Sequence, residues 1–383
     1  MVDVKEFAGL RPLHPETFCI KPYDVIGEQE LAELRKNEES AIHMIVPSDD
    51  GDRYLNAQRA FERLRKNMVR DEPSMYLYEE ANDEFRQRGF ILGVSLADYE
   101  KGLIKKHEET REKPLHDRIK HIEALRAHTG LVWTVFRRNE KIKEIMNEIA
   151  RDTPVFDFEK YGYRHRLWKV NDDAAIATIK SLFSDVPLYI ADGHHRIAAA
   201  WHNWKKHGGK ETKYAMIFAA SDDEVRILPY NRVIRTLDHT RFMDRLRQKM
   251  NVEPLTDLHE PQRHEIQMYY GGTWWKLTPE HVPEGTVDSL DVSILQKQVL
   301  EPVLGITDIR KDPSIFFVGG NVSRREYERL VDEEGNAAVF YLHPTSIDEL
   351  EAIADAGENM PPKSTWFDPK LLTGLVFHTF DEG

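Results

Sequence analysis

A short run of ionisable residues near the middle of the chain has the composition of an anion-binding and proton-transfer site. The run consists of Asp192, Gly193, His194, His195 and Arg196. The glycine lets backbone N–H groups approach an anion at a helix start, where the helix dipole favours negative charge. The arginine offers a fork of donors, and the histidines can transfer protons near neutral pH. The run predicts a functional turn; the alternative is a helix capped by the aspartate.

A second segment could supply carboxylates to the same site. His107 and Glu108 could serve as a general base or bind a divalent metal, and Asp117 and Arg118 follow in the next predicted helix. The spacing does not match His-Glu-x-x-His, since Arg111 occupies the last position. The alternative is a charged, solvated helix start.

A third segment, Met360–Lys370, contains prolines that preclude a helix and stiffen a loop. Such a loop could hold an anion through its lysines and hydroxyls, which are Lys363, Ser364, Thr365 and Lys370. The alternative is a tail that packs through Trp366 and Phe367. Asp24 lies in another rigid turn and is either a carboxylate of the site or a turn former.

The elements that must position these residues alternate between strands and helices. We predict a strand over Val186–Ala191, a helix over His195–His207 and a strand over Tyr214–Ala220, with short links that favour a parallel arrangement. Upstream, the patterns predict helices over 28–38, 52–71, 114–128, 139–150 and 172–184. They predict strands over 89–97, 131–136 and 163–170.

The C-terminal third has a different pattern of predicted helices and strands. Segments 264–270 and 273–278, joined at Gly271 and Gly272, predict a hairpin. Helices are expected over 288–304 and 347–356, and strands over 226–234, 314–318 and 338–342. We expect an α/β core over residues 1–237 and an α+β portion, packed on the core, over residues 238–383.

Composition narrows the class of protein. The chain has 383 residues, 40% of them hydrophobic, and a net charge of −13 that argues against general nucleic-acid binding. Cys19 is the only cysteine, which excludes an intramolecular disulfide. No leader peptide and no membrane-spanning run are visible, so a cytoplasmic location without membrane attachment is expected. The sequence does not indicate an oligomeric state.

Taken together, these segments resemble the family known as domain of unknown function 1015. The most specific matches are residues 191–196 and the Pro-Pro-Lys-Ser-Thr stretch at 361–365. The remaining matches are residues 10–12, 22–25, 107, 108, 110, 117, 118, 288–290 and the rest of 360–370 with 374 and 375. The sequence departs from the family pattern at Lys21, Trp366 and Asp368, none of which is a proposed catalytic group.

The family is in turn similar to the ParB and sulfiredoxin superfamily, in which a Gly-x-x-Arg helix start holds nucleotide phosphates; Gly193, Arg196 and Ala199 fit that pattern. Certain archaeal free-serine kinases share that fold and a similar Asp-Gly-His-His-Arg run. The resemblance implies a ParB/sulfiredoxin-like nucleotide-binding core in which the helix from His194 cradles a di- or triphosphate and Arg196 clamps it.

The implied function is that of a nucleotide-dependent phosphotransferase, a small-molecule kinase that uses ATP or ADP with Mg²⁺ and acts on a hydroxyl metabolite such as serine. Asp192 or Glu108 would accept the hydroxyl proton, with Glu108 also a candidate metal ligand. His194 or His195 would bind phosphate or relay protons. The alternatives are a ParB-like nucleotide-binding regulator and a metal-dependent hydrolase that uses His107, Glu108 and Asp192.

Overall fold

The structure, a computed structural model that describes residues 1–380, divides into two compact units. Unit 1 comprises Met1–Val225 together with the segment that begins at Pro369, and unit 2 comprises Arg226–Asp368. Both units mix helices and strands, so the predicted α/β class is confirmed. The ParB/sulfiredoxin-like character of the core and the predicted domain division at residue 237 stay predictions.

Unit 1 contains most of the elements. Its strands are β1 Val4–Lys5, β2 Gly9–Pro12, β3 Met68–Arg70, β4 Met75–Ala81, β5 Arg86–Ser95, β6 Ile104–Lys105, β7 Ala127–His128, β8 Val132–Phe136, β9 Phe156–Lys160, β10 Tyr163–Val170, β11 Leu188–Asp192 and β12 Tyr214–Ser221. Its helices are α1 Pro15–Phe18, α2 Glu28–Leu34, α3 Ile42–Ile45, α4 Arg53–Leu64, α5 Leu96–Glu100, α6 Glu112–Leu125, α7 Glu140–Ile149, α8 Asp173–Ser184 and α9 His194–His207.

The main sheet of unit 1 is mixed, with the strand order β6-β11-β8-β12-β5-β4-β10-β9 and β1 paired with β5. β6 and β11 run parallel, as do β8 and β12, whereas the other pairs are antiparallel. Apolar side chains from this sheet and from α6–α9 form a continuous core that includes Phe90, Ile190 and Ile197. The burial of this core stabilises the strand ends from which the candidate site projects.

Unit 2 contains the remaining strands and helices. They are β13 Ile227–Leu228, β14 Tyr230–Ile234, α10 Phe242–Arg247, β15 Met250–Pro254, β16 Ile266–Tyr270, β17 Thr273–Pro279, α11 Asp291–Leu295, α12 Glu301–Leu304, β18 Ile315–Gly319, α13 Arg324–Asp332, β19 Ala338–Leu342, α14 Ile347–Asp355 and β20 Trp366–Phe367. The chain then enters unit 1 again with β21 Phe377–Thr379. The main sheet of unit 2 is antiparallel, with the order β15-β17-β16-β19-β14-β18.

Two further sheets complete the description. In unit 1, β3, β2, β21 and β7 form an antiparallel sheet in that order, and in unit 2 β13 pairs with β20. No helix among residues 1–380 combines the length and the apolar character that crossing a membrane requires.

One topological prediction was wrong. β11, α9 and β12 follow one another along the chain, but β11 is antiparallel to β8 and β12 is parallel to β8, so β11 and β12 run in opposite directions with β8 between them. The difference arises from β8, which pairs with both strands and is remote from them in sequence. Gly208 and Gly209, at φ 65° and 101°, end α9 before the chain enters β12.

Several element boundaries also differ. The helix predicted over 52–71 ends earlier, and Met68–Arg70 is a strand that pairs with β2. The helix predicted over 114–128 ends at Leu125, where Arg126 adopts the left-handed conformation with φ 50°. The predicted strand 226–234 is interrupted at Pro229, which has no N–H to donate to a ladder. The predicted hairpin at Gly271 and Gly272 is confirmed.

The close approach of β5 to β12 gives a test of the fold of unit 1. A Cβ at Gly89 would overlap the carbonyl oxygen of Ala219 and lie 2.7 Å from the ring of Phe218. Gly89→Ala should therefore lower the free energy of unfolding by about 1–3 kcal/mol through overpacking. Urea unfolding measures the change. Gly27→Ala is the control, because a Cβ there meets no atom within 4 Å; equal stability of the two variants would contradict the strand pairing.

Candidate active site

The pairing of β6 with β11 brings two of the predicted segments together. The strands are parallel, with Leu188 opposite Ile104, so the segments that follow them emerge at the same edge of the sheet. As a result the rings of His107 and His194 lie edge to face with centroids 4.6 Å apart. The backbone N–H of His107 also donates to Nε2 of His194 over 3.4 Å.

The turn between β11 and α9 begins the helix on a glycine. The residue that caps α9 is Gly193, with φ 99°, and no side chain in the described part of the chain caps this helix. The first N–H groups of a helix have no partner within the helix. The side chain of Arg196 folds back over the glycine. Its Nε lies so close that a Cβ added at Gly193 would be only 2.8 Å from it. The side chain of Arg196 also passes beside Gly130.

Asp192 ends β11 and carries the negative charge at the centre of the site. The register of β11 against β8 shifts between Ile190 and Asp192, an irregularity of the kind that re-aims side chains near active sites. Oδ2 of Asp192 lies 3.3 Å from Nζ of Lys370 and 3.4 Å from NH2 of Arg196. Burial raises the pKa of Asp192, but Lys370 and Arg196 together outweigh this effect and lower it. Asp192 is therefore ionised. Its side chain does not cap α9, because the residue at the cap position is Gly193.

The histidines of the turn bind the segment that follows β6. Nε2 of His195 accepts a hydrogen bond of 2.9 Å from the backbone N–H of Arg111, as Nε2 of His194 does from His107. A ring nitrogen that accepts carries no proton, so these bonds assign the proton of each neutral ring to Nδ1. Burial lowers the pKa of both rings. Both histidines are therefore neutral donors near pH 7.

His107 is the third histidine of the cluster and is fully buried. Burial lowers its pKa to about 4, although the charge of Asp192 and a hydrogen bond with the backbone of Ile190 act in the opposite direction. Its Nδ1 has no hydrogen-bond partner in the part of the chain that the structure describes. Because buried polar atoms are normally satisfied, this nitrogen has capacity for a ligand or a water molecule.

Asp24, Tyr23 and Arg118 are further residues near the turn. Asp24 is exposed and lies close enough to His195 and Arg196 for its charge to raise the pKa of each. The guanidinium of Arg118 stacks on Tyr23 at 4.3 Å from the ring centroid. The charges of Arg118 and Arg196 both act on the hydroxyl of this tyrosine. Tyr23 therefore contacts Arg118 and lies near Arg196.

Asp117 orients Arg118. One carboxylate oxygen of Asp117 accepts from Nε of Arg118 over 3.0 Å, and the other accepts from the hydroxyl of Tyr54 over 3.0 Å. Asp117 and Arg118, which were predicted as site residues, thus form a pair whose arginine faces Tyr23. Asp117 acts through Arg118.

A pocket adjoins Arg196 within unit 1. It lies between α6, α9 and the strands that follow them and has a cavity volume of about 40 Å³. Its polar lining includes Tyr23, Arg118, His121, His128 and Arg196. The cavity has room for a few water-sized groups beside Arg196.

Lys370 and the other predicted residues of the proline-rich segment belong to different units. Lys370 lies in unit 1 on Asp192, whereas Lys363, Ser364 and Thr365 lie in unit 2. Within unit 2, the hydroxyl of Ser364 donates to the carbonyl of Pro361 over 2.6 Å, which closes the turn of the loop. For Lys363, Ser364 and Thr365, contact with phosphate stays a prediction.

Sequence reasoning missed two residues of the site. Neither Tyr23 nor Gly130 was predicted as a site residue. Neither role has a local signal, because Tyr23 is recognised by its contact with Arg118 and its approach to Arg196, and Gly130 by the side chain of Arg196 that passes beside it. Glu108, which follows His107, is half-buried. Among residues 1–380, no three His, Cys, Asp or Glu side chains are grouped so that they could hold a metal ion.

The family assignment rests on the sequence. Residues 4–293 match the family described as "Protein of unknown function (DUF1015)", and the chain belongs to this family. No curated protein matches the sequence.

Several solved structures resemble the chain. A free serine kinase in complex with AMP is 14% identical, with a TM-score of 0.39 over 74% of this chain and 92% of that one. A conserved hypothetical protein from Pyrococcus furiosus is 15% identical, with a TM-score of 0.37 over 74% and 95%. SbnI with a C-terminal truncation, from Staphylococcus aureus, is 15% identical, with a TM-score of 0.40 over 74% and 85%. At these scores the similarities assign no function.

The ion pairs of Asp192 predict a specific pH dependence. The pKa of Asp192 is lowered in the folded chain, so its contribution to stability is present above the unfolded value of about 3.9 and is lost as the pH falls. Asp192→Asn should lower the free energy of unfolding by about 1–3 kcal/mol at pH 7, because two cations lose their partner. The difference from wild type should shrink below about pH 4.

Urea unfolding of both proteins at pH 7, 5 and 3.5 measures this difference. Asp49→Asn serves as the control, since Asp49 is exposed and, among residues 1–380, forms an ion pair with Arg53 alone. A difference that stays constant across the three pH values would show that Asp192 is not held ionised by Arg196 and Lys370.

Proposed function

We propose that the chain is a nucleotide-dependent phosphotransferase that transfers a phosphoryl group to the hydroxyl of a small metabolite, with serine as the first acceptor to test. The observation that carries the proposal is the position of Arg196, which lies over the left-handed Gly193 at the start of α9 while it shares Asp192 with Lys370. Two cations and unpaired helix-start amides around one small space are suited to nucleotide phosphates.

Asp192 sets the position of the two cations without using up their donors. Both contacts go to Oδ2 and are longer than 3.2 Å, whereas a guanidinium has five N–H donors and an ammonium has three. A phosphate placed at the helix start can therefore accept hydrogen bonds from Arg196 and Lys370 while Asp192 keeps them in place. Asp192 is thus a positioning residue of the phosphate site.

The histidines contribute donors to the same space. With Nε2 of His194 and of His195 engaged by backbone N–H groups, the proton on each Nδ1 is available to a phosphate oxygen. These bonds also connect the segment His107–Arg111 to the start of α9. We therefore assign His194 and His195 to phosphate binding and to the positioning of that segment.

Asp24 is the carboxylate that we propose as the general base. It is exposed and forms no ion pair among the residues that the structure describes, yet it lies near His195 and Arg196. Asp192 is less suited to this role, because its lowered pKa makes it a weak base. The acceptor hydroxyl would lose its proton to Asp24 while its oxygen forms the new bond to phosphorus. The bond between phosphorus and the bridging oxygen would break, and the nucleotide would leave with one phosphate fewer.

Magnesium fits the proposal through a small number of protein ligands. It commonly binds one or two carboxylates and takes its other ligands from phosphate and water, so a larger protein cluster is not required. Glu108 is the carboxylate that we propose for it. When bound, magnesium neutralises charge on the phosphates.

The first test is nucleotide binding by wild type and by Arg196→Ala. Thermal-shift titrations with ATP, ADP, CTP and pyrophosphate, with and without Mg²⁺, should show stabilisation of wild type, since a ligand at a hundredfold excess over its Kd adds about 2.7 kcal/mol. Loss of a charged hydrogen-bonding group costs about 1.5–3 kcal/mol, so Arg196→Ala should raise Kd roughly 10- to 100-fold.

Arg164→Ala is the matched control, since Arg164 is exposed on β10 and pairs with Asp157. The assignment of the phosphate site would be wrong if Arg196→Ala and His195→Ala both kept wild-type binding and turnover. Nucleotide binding without transfer to any hydroxyl acceptor would instead favour a nucleotide-binding regulator.

The second test separates chemistry from binding. Asp24→Asn should lower kcat about 10²- to 10⁴-fold through loss of the general base, while nucleotide affinity is kept. Formation of the phosphorylated acceptor can be followed by ³¹P NMR. Asp83→Asn, in the exposed turn between β4 and β5, is the control. Unchanged kcat in Asp24→Asn would remove Asp24 from the mechanism.

A further inference from the structure

Arg232 lies in the interior of unit 2. It is in the middle of β14, which is paired on one side with β18 and on the other with β19. Its side chain is only 1% exposed, which makes it one of the largest fully buried side chains in the chain. A buried guanidinium at the centre of a sheet needs a compensating group, because the transfer of a charge out of water is costly.

Within the described residues 1–380, the contacts of Arg232 do not include a carboxylate. NH1 donates to the backbone carbonyl of Tyr230, and the guanidinium lies over the ring of Phe317 at 5.4 Å from its centroid. Nε is buried, and among residues 1–380 it has no hydrogen-bond partner. Other arginines of unit 2 do have acidic partners: Arg226 pairs with Asp368, and Arg263 lies 2.9 Å from Glu349.

The charge of Arg232 is therefore poorly compensated. Burial lowers its pKa to about 9, and only the nearby Tyr230 raises it. Contact with one aromatic face and one carbonyl stabilises the guanidinium by less free energy than the burial of an unpaired charge costs. An anion at Nε would supply the missing partner.

A second cation lies against the same tyrosine. Nζ of Lys363 is 5.0 Å from the ring centroid of Tyr230 and 3.5 Å from its hydroxyl oxygen. Trp366 contacts the same ring edge to face, with centroids 5.0 Å apart. Lys363 is exposed and has φ 60°, a backbone conformation that a non-glycine residue adopts only when its surroundings hold it there. Tyr230 thus connects an exposed ammonium with a buried guanidinium.

We propose that Arg232 and Lys363 form an oxyanion site in unit 2 that takes the phosphate or carboxylate group of a small organic acid. The planar fork of a guanidinium matches both groups, and the aromatic rings of Tyr230 and Trp366 provide the walls for the rest of the ligand. Lys363 meets the anion at the surface, and Arg232 pairs with it in the interior. The inference goes beyond the proposed function and does not depend on it.

The experiment uses the full chain with Arg196→Ala as the common background, so that the site proposed in unit 1 is disabled throughout. Thermal-shift titrations are made with inorganic phosphate and with malonate at constant ionic strength. Arg232→Met is compared with Arg235→Met, which makes the same change at an exposed arginine that also lies on a phenyl ring, that of Phe316. Phosphate stabilises proteins non-specifically, and this effect is equal in the two variants.

Without ligand, Arg232→Met should melt at or above the temperature of the background protein, because it removes an unpaired buried charge. The stabilisation by phosphate or malonate should fall to the non-specific level in Arg232→Met and persist in Arg235→Met. Lys363→Met, a change at an exposed side chain that leaves the interior intact, should raise the Kd of the same anion several-fold.

The pattern of responses identifies the ligand class. A specific shift with phosphate alone assigns the site to phosphate, and a specific shift with malonate alone assigns it to carboxylate. The proposal is overturned if neither anion gives more than the non-specific shift, or if Arg232→Met melts well below the background while Lys363→Met binds both anions unchanged. Each result is independent of nucleotide binding, because all variants carry Arg196→Ala.

Discussion

The candidate site depends on the ion pairs that the ionised carboxylate of Asp192 forms. This carboxylate stands at the end of a buried strand, where an uncompensated charge would be unfavourable, and it is compensated by Arg196 and Lys370. Arg196 comes from the next turn of the same segment, whereas Lys370 is 178 residues away along the chain. The need to neutralise one carboxylate thus fixes the end of β11, the start of α9 and the segment after Pro369 relative to one another within unit 1.

The same burial determines the protonation of the histidines. His107 and His194 lie side by side in a space from which water is largely excluded, and two adjacent imidazolium rings there would repel each other. Burial and this mutual repulsion lower the pKa of His194, so the pair stays neutral near pH 7. Neutral rings are hydrogen-bonding groups and not counter-ions. The positive charge next to Asp192 therefore comes from Arg196 and Lys370, the two cations that pair with its carboxylate.

Local patterns were sufficient to predict many of the elements but not their pairing. The strand over Tyr163–Val170 and the hairpin at Gly271 and Gly272 can be predicted from local residue types, because strand-forming and turn-forming residues lie next to one another in the sequence. The antiparallel relation of β11 and β12 does not, because it arises from the intervening β8, which is remote in sequence. The end of α6 at Leu125 was missed for a related reason. Arg126 adopts a left-handed conformation that residue type alone would not indicate.

Prediction of the site has the same limit. The residue types of 192–196 indicate an anion-binding turn because glycine, arginine and histidine have intrinsic properties that suit one. Their sequence does not show which nitrogen of each ring is engaged, since the donors to His194 and His195 are backbone groups of a separate segment. Nor does it show that Tyr23 contacts Arg118 and lies near Arg196. These features exist only after β6 has paired with β11.

Arg196 and Arg232 differ in how their charges are compensated, because only Arg196 has a carboxylate partner among residues 1–380. Arg196 has Asp192 as a counter-ion four residues earlier in the same segment, so its charge is compensated within the protein. Arg232 has only a carbonyl and an aromatic face, so its compensation must come from outside the side chains around it. Sequence patterns favoured the first arginine because it lies in a recognisable run. The second lies in an ordinary strand, where a charge at a buried position was the only available signal, and that signal becomes visible only when the burial of β14 is known.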